Sequence, residues 1–84
     1  MKYRIDIKRK AEKFIRRLPR QDEERVLRAI CRLPDGEDVK KLKGHEGLMR
    51  LRVGDYRIIY QVDNGRLVVL VVDAGNRGDI YKRY

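Results

Sequence analysis

The chain reads as an α+β domain: an N-terminal strand, a helical hairpin, then a three-stranded antiparallel meander that completes one twisted sheet, with the helices packed on one face. Three observations predict it. Apolar residues recur with period two up to Lys8, with helical spacing from Arg9 to Leu33, and with period two again after Leu48. Pro19 and Pro34 punctuate the helical stretch, whereas Gly54-Asp55 and Asn64-Gly65 fall where the meander would need hairpin turns. With 84 residues the chain has material for one small core, so a single domain spanning residues 1–84 is expected.

From Met1 to Lys8, Tyr3, Ile5 and Ile7 alternate with Lys2, Arg4, Asp6 and Lys8, the mark of a strand with one face in a core. Ala11, Phe14, Ile15 and Leu18 then form one helical stripe, with Lys13, Arg16 and Arg17 off it. Pro19 ends that helix or opens the next. Asp22, Glu23 and Glu24 complement the dipole of a second helix, and Val26, Leu27, Ile30 and Leu33 are its apolar stripe. Cys31 falls on that stripe, which makes it a small core residue rather than a nucleophile partnered by His45. Pro34-Asp35-Gly36 breaks the pattern, and the segment to Gly47 reads as a polar loop with one short turn at Val39 to Leu42.

The meander strands are expected at Leu48 to Val53, Tyr56 to Val62 and Leu67 to Asp73. Gly54 suits the first central position of a type II′ turn, which sets Val53 opposite Tyr56 and Arg52 opposite Arg57, with Arg50 on the same face. A type I′ turn at Asn64-Gly65 would place Asp63 across from Arg66, Tyr60 across from Val69 and Arg57 across from Val72. The last strand is apolar at almost every position, so it belongs inside the sheet with both faces covered. The tail from Gly75 to Tyr84 then leaves the sheet where the Tyr56 strand begins, which carries Arg77 toward Arg52 and Arg57.

Lys plus Arg number 22 against 13 acids, a formal charge of +9 and a pI near 10.1, which points to RNA, DNA, an anionic membrane surface or an acidic protein as partner. The run Leu67 to Val72 is far too short to span a bilayer, no signal-peptide pattern opens the chain, and a lone cysteine cannot form an internal disulfide, so a cytoplasmic protein is expected. Metal-ligand spacing and the glycine patterns of phosphate or dinucleotide loops are absent from the sequence, and no cofactor is expected.

Like charges directly opposed across a ladder destabilise it, so Arg52 and Arg57 face to face suggest a polyanion as the missing partner; a solvated basic face is an equally good account. Guanidinium groups fork onto phosphate oxygens, and Arg50, Arg52, Arg57 and Arg77 together could hold a phosphodiester and neutralise charge developing on it. On this basis neutralising Arg52 or Arg57 should leave the fold intact or slightly stabilise it. Tyr81 and Tyr84 offer rings for base stacking and hydroxyls for polar contact, Tyr84 being better explained by packing on the sheet. Lys40, Lys41 and Lys43, with His45 beside them, read equally as a solvated loop or a phosphate-backbone contact.

The segments Leu42-Lys-Gly44, Arg50-Leu-Arg-Val-Gly-Asp-Tyr-Arg-Ile-Ile-Tyr-Gln-Val62, the apolar strand Leu67 to Val72, and Gly75-Asn-Arg-Gly-Asp-Ile-Tyr81 together resemble the RelE/ParE superfamily of type II toxin–antitoxin toxins, with RelE-like mRNA interferases nearest. The resemblance covers nearly the whole chain. It implies a ribosome-dependent endoribonuclease that cuts mRNA without metal, by attack of a ribose 2′-hydroxyl on the adjacent phosphate. It also implies a cognate RelB-like antitoxin of acidic character, bound in a toxin–antitoxin heterotetramer. Position by position, Arg57 and Arg77 resemble the phosphate-holding and transition-state arginines, Arg50 stands where a catalytic lysine is common, Tyr81 is similar to the C-terminal tyrosine, and Arg52 fills a basic position of the same strand. Arginine at position 50 is a poor general base because it stays protonated, Leu48 stands where some members have a further basic residue, and the Glu/His acid–base pair of other relatives is missing. A ParE-like toxin acting on DNA gyrase, or a toxin homologue that only binds its antitoxin, would share the same fold and hairpin.

Overall fold

Strand alternation and turn chemistry pair the C-terminal half of the chain with itself, and the N-terminal strand joins from the far side. The computed structural model describes residues 3–36 and 38–84. Its elements are β1 (Arg4–Ile7), α1 (Arg9–Arg16), α2 (Arg20–Cys31), β2 (Val39–Lys41), β3 (Met49–Val53), β4 (Tyr56–Asp63), β5 (Val68–Asn76) and α3 (Arg77–Arg83). Met1 and Lys2 of the expected first strand, and Glu37 of the expected loop, lie outside the described residues.

The sheet order is β1-β5-β4-β3-β2, antiparallel throughout except where β1 runs parallel to β5. Ala11 and Ile15 of α1, Val26 and Ile30 of α2, and Leu33 just beyond it bury themselves against one face, made by Leu51, Val53, Ile58, Tyr60, Val69, Val71 and Ala74. Leu27 is not part of that stripe and stays exposed, because Val26, Ile30 and Leu33, spaced four and three apart, already span the contact. Cys31 is likewise exposed, on the flank of α2 rather than in the core.

Three local expectations change. Residues Val39–Lys41, expected in a loop, form an edge strand on β3, with Val39 across from Leu51 and Lys40 across from Arg50. The Asn64-Gly65 pair does not make a two-residue turn. Residues 64–67 form the connection, Leu67 takes the left-handed conformation at φ 55°, and Asp63 faces Val68. Register therefore slides relative to the two-residue reading, with Tyr60 opposite Val71 rather than Val69 and Arg57 opposite Gly75 rather than Val72. The remaining shift comes from an irregularity between Ile59 and Tyr60 that leaves Val72 without a partner on β4. β5 runs on to Asn76, and the tail winds into α3. Only the C-terminal end of β5 is covered by α3; Leu70 and Val72 are half-buried, so the second face is less enclosed than the apolar run predicted.

Candidate active site

The bulge at Val72 decides what the second face of the sheet carries. A one-residue slip exchanges the faces of every following side chain, so beyond it Ala74 joins the helix-facing core and Asp73 and Gly75 turn to the opposite side. Two cross-strand rows result on that side. One is Lys40, Arg50, Ile59 and Asp73; the next is Arg52, Arg57 and Gly75. α3 lies over them. Its Ile80 is fully buried, and a methyl group on Gly75 would stand 3.0 Å from Ile80 Cγ1, so the missing side chain is what lets the helix sit this low.

A helix as short as α3 is marginal alone, and its C-terminal end is tied down by one buried carboxylate. Asp73 is fully buried and accepts from the Ala74 backbone N–H at 2.8 Å, Arg83 Nε and Nη2 at 3.1 and 3.2 Å, and the Tyr84 hydroxyl at 3.1 Å. Lys10 Nζ approaches it at 3.4 Å from α1. Burial pushes this carboxyl upward, but Arg83, the Ala74 N–H and Tyr84 outweigh it and hold it below its ordinary range. Tyr84 thus packs on the sheet as expected, with His45 edge-on to its ring at 5.3 Å.

The anchored helix sets Tyr81 over the row of cations. Arg50 Nη1 donates to the Tyr81 hydroxyl at 3.3 Å. That contact first, and Arg57 with it, hold the phenol below its ordinary value by favouring the phenolate. Arg57 is buried although charged. Its Nη1 donates to the carbonyls of Gly54 at 2.8 Å and Tyr56 at 3.0 Å, bracing the hairpin turn in which Gly54 takes φ +58°. The Nε donors of Arg50 and Arg57 are both buried with no acceptor among the described residues, an arrangement that costs stability.

Arg52, Arg57 and Arg77 line a groove of about 740 Å³ together with Arg25 and Arg28 of α2 and Arg32 at its C-cap. Arg77 opens α3, and its backbone N–H donates to the Asp55 carbonyl at 2.9 Å, which pins the helix start to the β3–β4 turn. The arginine cluster is not wholly uncompensated. Asp38, just before β2, pairs through one carboxylate oxygen with Arg50 at 3.5 Å and through the other with Arg52, while its carbonyl accepts the Arg52 backbone N–H. Asp38 therefore relieves part of the repulsion between Arg50 and Arg52, and Arg57 has a structural task that the pattern did not reveal. Its replacement should not be neutral.

Of the residues singled out from sequence, Arg50, Arg57 and Tyr81 meet beneath and on α3, Lys40 stands beside Arg50 across the ladder, and Arg52 and Arg77 line the adjoining groove. Lys41 faces the other side of the sheet by alternation, opposite Met49, and Lys43 lies in the turn beyond β2. Asp38 and Asp73 carried no sequence signal, since their side-chain partners lie on other elements. Arg25, Arg28 and Arg32 did: their three- and four-residue spacing puts them on one side of a helix. No group of His, Cys, Asp and Glu able to hold a metal occurs among the described residues.

A family model described as the ParE toxin of the type II toxin–antitoxin system parDE matches residues 5–81. The chain belongs to this toxin family, within the RelE/ParE superfamily. Among solved structures, an archaeal RelE–RelB complex from Pyrococcus horikoshii is similar at 34% identity and a TM-score of 0.74, covering 93% of this chain and 98% of that one. The RelB–RelE antitoxin–toxin complex from Methanococcus jannaschii is similar at 25% identity and a TM-score of 0.75, covering 94% and 98%. The isolated RelE toxin of E. coli is similar at 27% identity and a TM-score of 0.69, covering 96% and 93%. Curated protein sequences show no match. No helix among the described residues is long and apolar enough to cross a membrane.

Proposed function

We propose that this RelE/ParE-family toxin is a ribosome-dependent mRNA endonuclease that works without metal and is neutralised by a cognate RelB-like antitoxin. The observation that carries the reading is the Tyr81 hydroxyl held at 3.3 Å from Arg50 Nη1, with its phenolate favoured by Arg50 and Arg57. Those groups come from β3, β4 and α3, and no packing requirement explains why a tyrosine should be aimed at the half-buried Arg50 and the buried Arg57.

In the reaction, Tyr81 in its phenolate form takes the proton of the ribose 2′-hydroxyl, the 2′-oxygen bonds to the adjacent phosphorus, and the bond from phosphorus to the 5′-oxygen breaks. The products are a 2′,3′-cyclic phosphate and, once the leaving oxygen takes a proton from solvent, a 5′-hydroxyl end. Arg50 and Arg57 supply fixed positive charge where the phosphorane oxygens gain negative charge, and Arg77 holds the chain from the groove side. Arg50 acts by charge rather than as a base. The ribosome positions the message, so the toxin needs only a shallow surface.

Primer extension on translated mRNA tests the reading. Codon-associated cuts should appear with wild type and fade with Tyr81→Phe and with Arg77→Ala. A second reading, a toxin acting on DNA gyrase, is favoured by the ParE description of the matching family. Growth arrest by wild type with intact transcripts and accumulating DNA breaks would establish that reading and overturn the nuclease.

A further inference from the structure

Half the cations lining the groove beside the reaction centre come from α2 and its C-cap. Arg25, Arg28 and Arg32 are exposed and line it in a row, with Arg52, Arg57 and Arg77 on the opposite wall. None of the three α2 arginines forms an ion pair among the described residues, in contrast to Arg16 and Arg20, which pair with Glu12 and Glu24 along their own helices. The row is continuous with the hairpin: a methyl group on Gly54 would stand 3.1 Å from Arg25 Nη1, so the α2 guanidinium rests against the turn that Arg57 braces.

We propose that the Arg25, Arg28 and Arg32 face of α2 is a second RNA contact surface, which holds the sugar-phosphate backbone leaving the reaction centre and does not read its bases. The inference deepens the nuclease reading and rests on it for the direction of the strand. The lining supports a backbone partner. Among the described residues its acids are Asp38 and Asp55, its apolar members are the buried Leu51 and Val53 and the small, half-buried Ala29, and no aromatic ring faces it on which a base could stack. An acidic peptide would need exposed apolar pockets for anchor side chains, which this groove does not offer. Along the helix Arg25 and Arg32 are separated by about 10 Å at the usual rise per residue, enough to meet more than one phosphate of an extended strand.

The test is fluorescence anisotropy of a labelled single-stranded RNA of about 12 nucleotides, within the span such grooves accommodate, made non-cleavable by 2′-O-methylation and titrated with the full chain across a salt series. Arg28→Gln/Arg32→Gln should weaken binding about tenfold at low salt and lower the salt slope by about 1.4, because each phosphate of a single strand left without its arginine removes about 0.7. Arg28→Lys/Arg32→Lys should keep the slope, because holding the backbone needs charge rather than a bidentate fork, and both variants should melt like wild type. On translating ribosomes the Gln variant should need more toxin for half-maximal cleavage and reach the same maximal cleavage. An unchanged slope with cleavage intact would overturn the surface and leave the nuclease reading standing. A reduced slope in a protein that never cuts mRNA would support the surface and refute the nuclease. A slope unchanged on RNA, with weakened binding of a poly-glutamate peptide, would overturn the surface in favour of a protein partner.

Discussion

Replacing Asp73 with Asn tests whether one buried carboxylate holds α3 in place. Asn keeps the shape and one acceptor but removes the charge that Arg83, Tyr84 and Lys10 converge on. Hydrogen bonds to a buried charge contribute about 1.5–3 kcal/mol each when partners are also buried. Here the Arg83 side chain is 45% exposed and Lys10 63%, so water recovers most of their share. A net loss of about 2 kcal/mol is expected, which for a domain of this size lowers the melting midpoint by about 8–16 °C at pH 7. The pH dependence has a definite sign. The folded carboxyl lies below its ordinary value of 3.8, so its contribution is complete above that value and is lost as pH falls through the folded one. Melting followed by circular dichroism should therefore show wild type and Asp73→Asn well separated at pH 5 to 7 and converging below about pH 4. Because Asp73 fixes the end of α3, the variant should also cleave more slowly. A variant that melts within 1 °C of wild type at pH 7, or a gap that widens in acid, would refute the anchor.

Arg57→Ala should destabilise by about 1–3 kcal/mol, since a buried side chain and its bonds to the Gly54 and Tyr56 carbonyls are removed, whereas Arg52→Ala, half-exposed, should stay within about 1 kcal/mol of wild type; equal effects in urea melts would contradict the assignment. Cleavage should accelerate as pH rises toward a Tyr81 pKa below 10, and Tyr81→Phe should abolish that alkaline rise with a loss of about 10²–10⁴ in rate; a retained rise would place the base elsewhere. Asp38→Asn should bind single-stranded RNA more tightly with a salt slope steeper by about 0.7, because the carboxylate spanning Arg50 and Arg52 no longer competes with a phosphate; weaker binding would show that Asp38 positions the arginines instead.

The β3–β4 hairpin was legible in sequence because its information is local. Glycine at the first turn position and strict alternation on both sides set the Arg52–Arg57 pairing, and the structure has that register. The two N-terminal helices were legible for a similar reason, their apolar stripes repeating within a few residues. The β4–β5 turn misled because Asn64-Gly65 is a strong local signal, and the four-residue connection moves the register by two, which keeps Val69 and Val71 on the helix-facing side, so alternation alone does not tell the two registers apart. Leu27 and Cys31 were misplaced because helical spacing marks a stripe without saying how wide a face the sheet covers.

Local chemistry alone thus determined the class of the fold, its chief hairpin and the opposed arginines Arg52 and Arg57, since each depends on residues a few positions apart. Tertiary structure decided what those cations do to one another. The unpaired Val72 turns Asp73 toward α3, Gly75 admits Ile80, and the helix so anchored aims Tyr81 at Arg50 from 31 positions away. Energies of that kind depend on which distant groups share a desolvated space, and one unpaired residue in a strand is enough to reassign them.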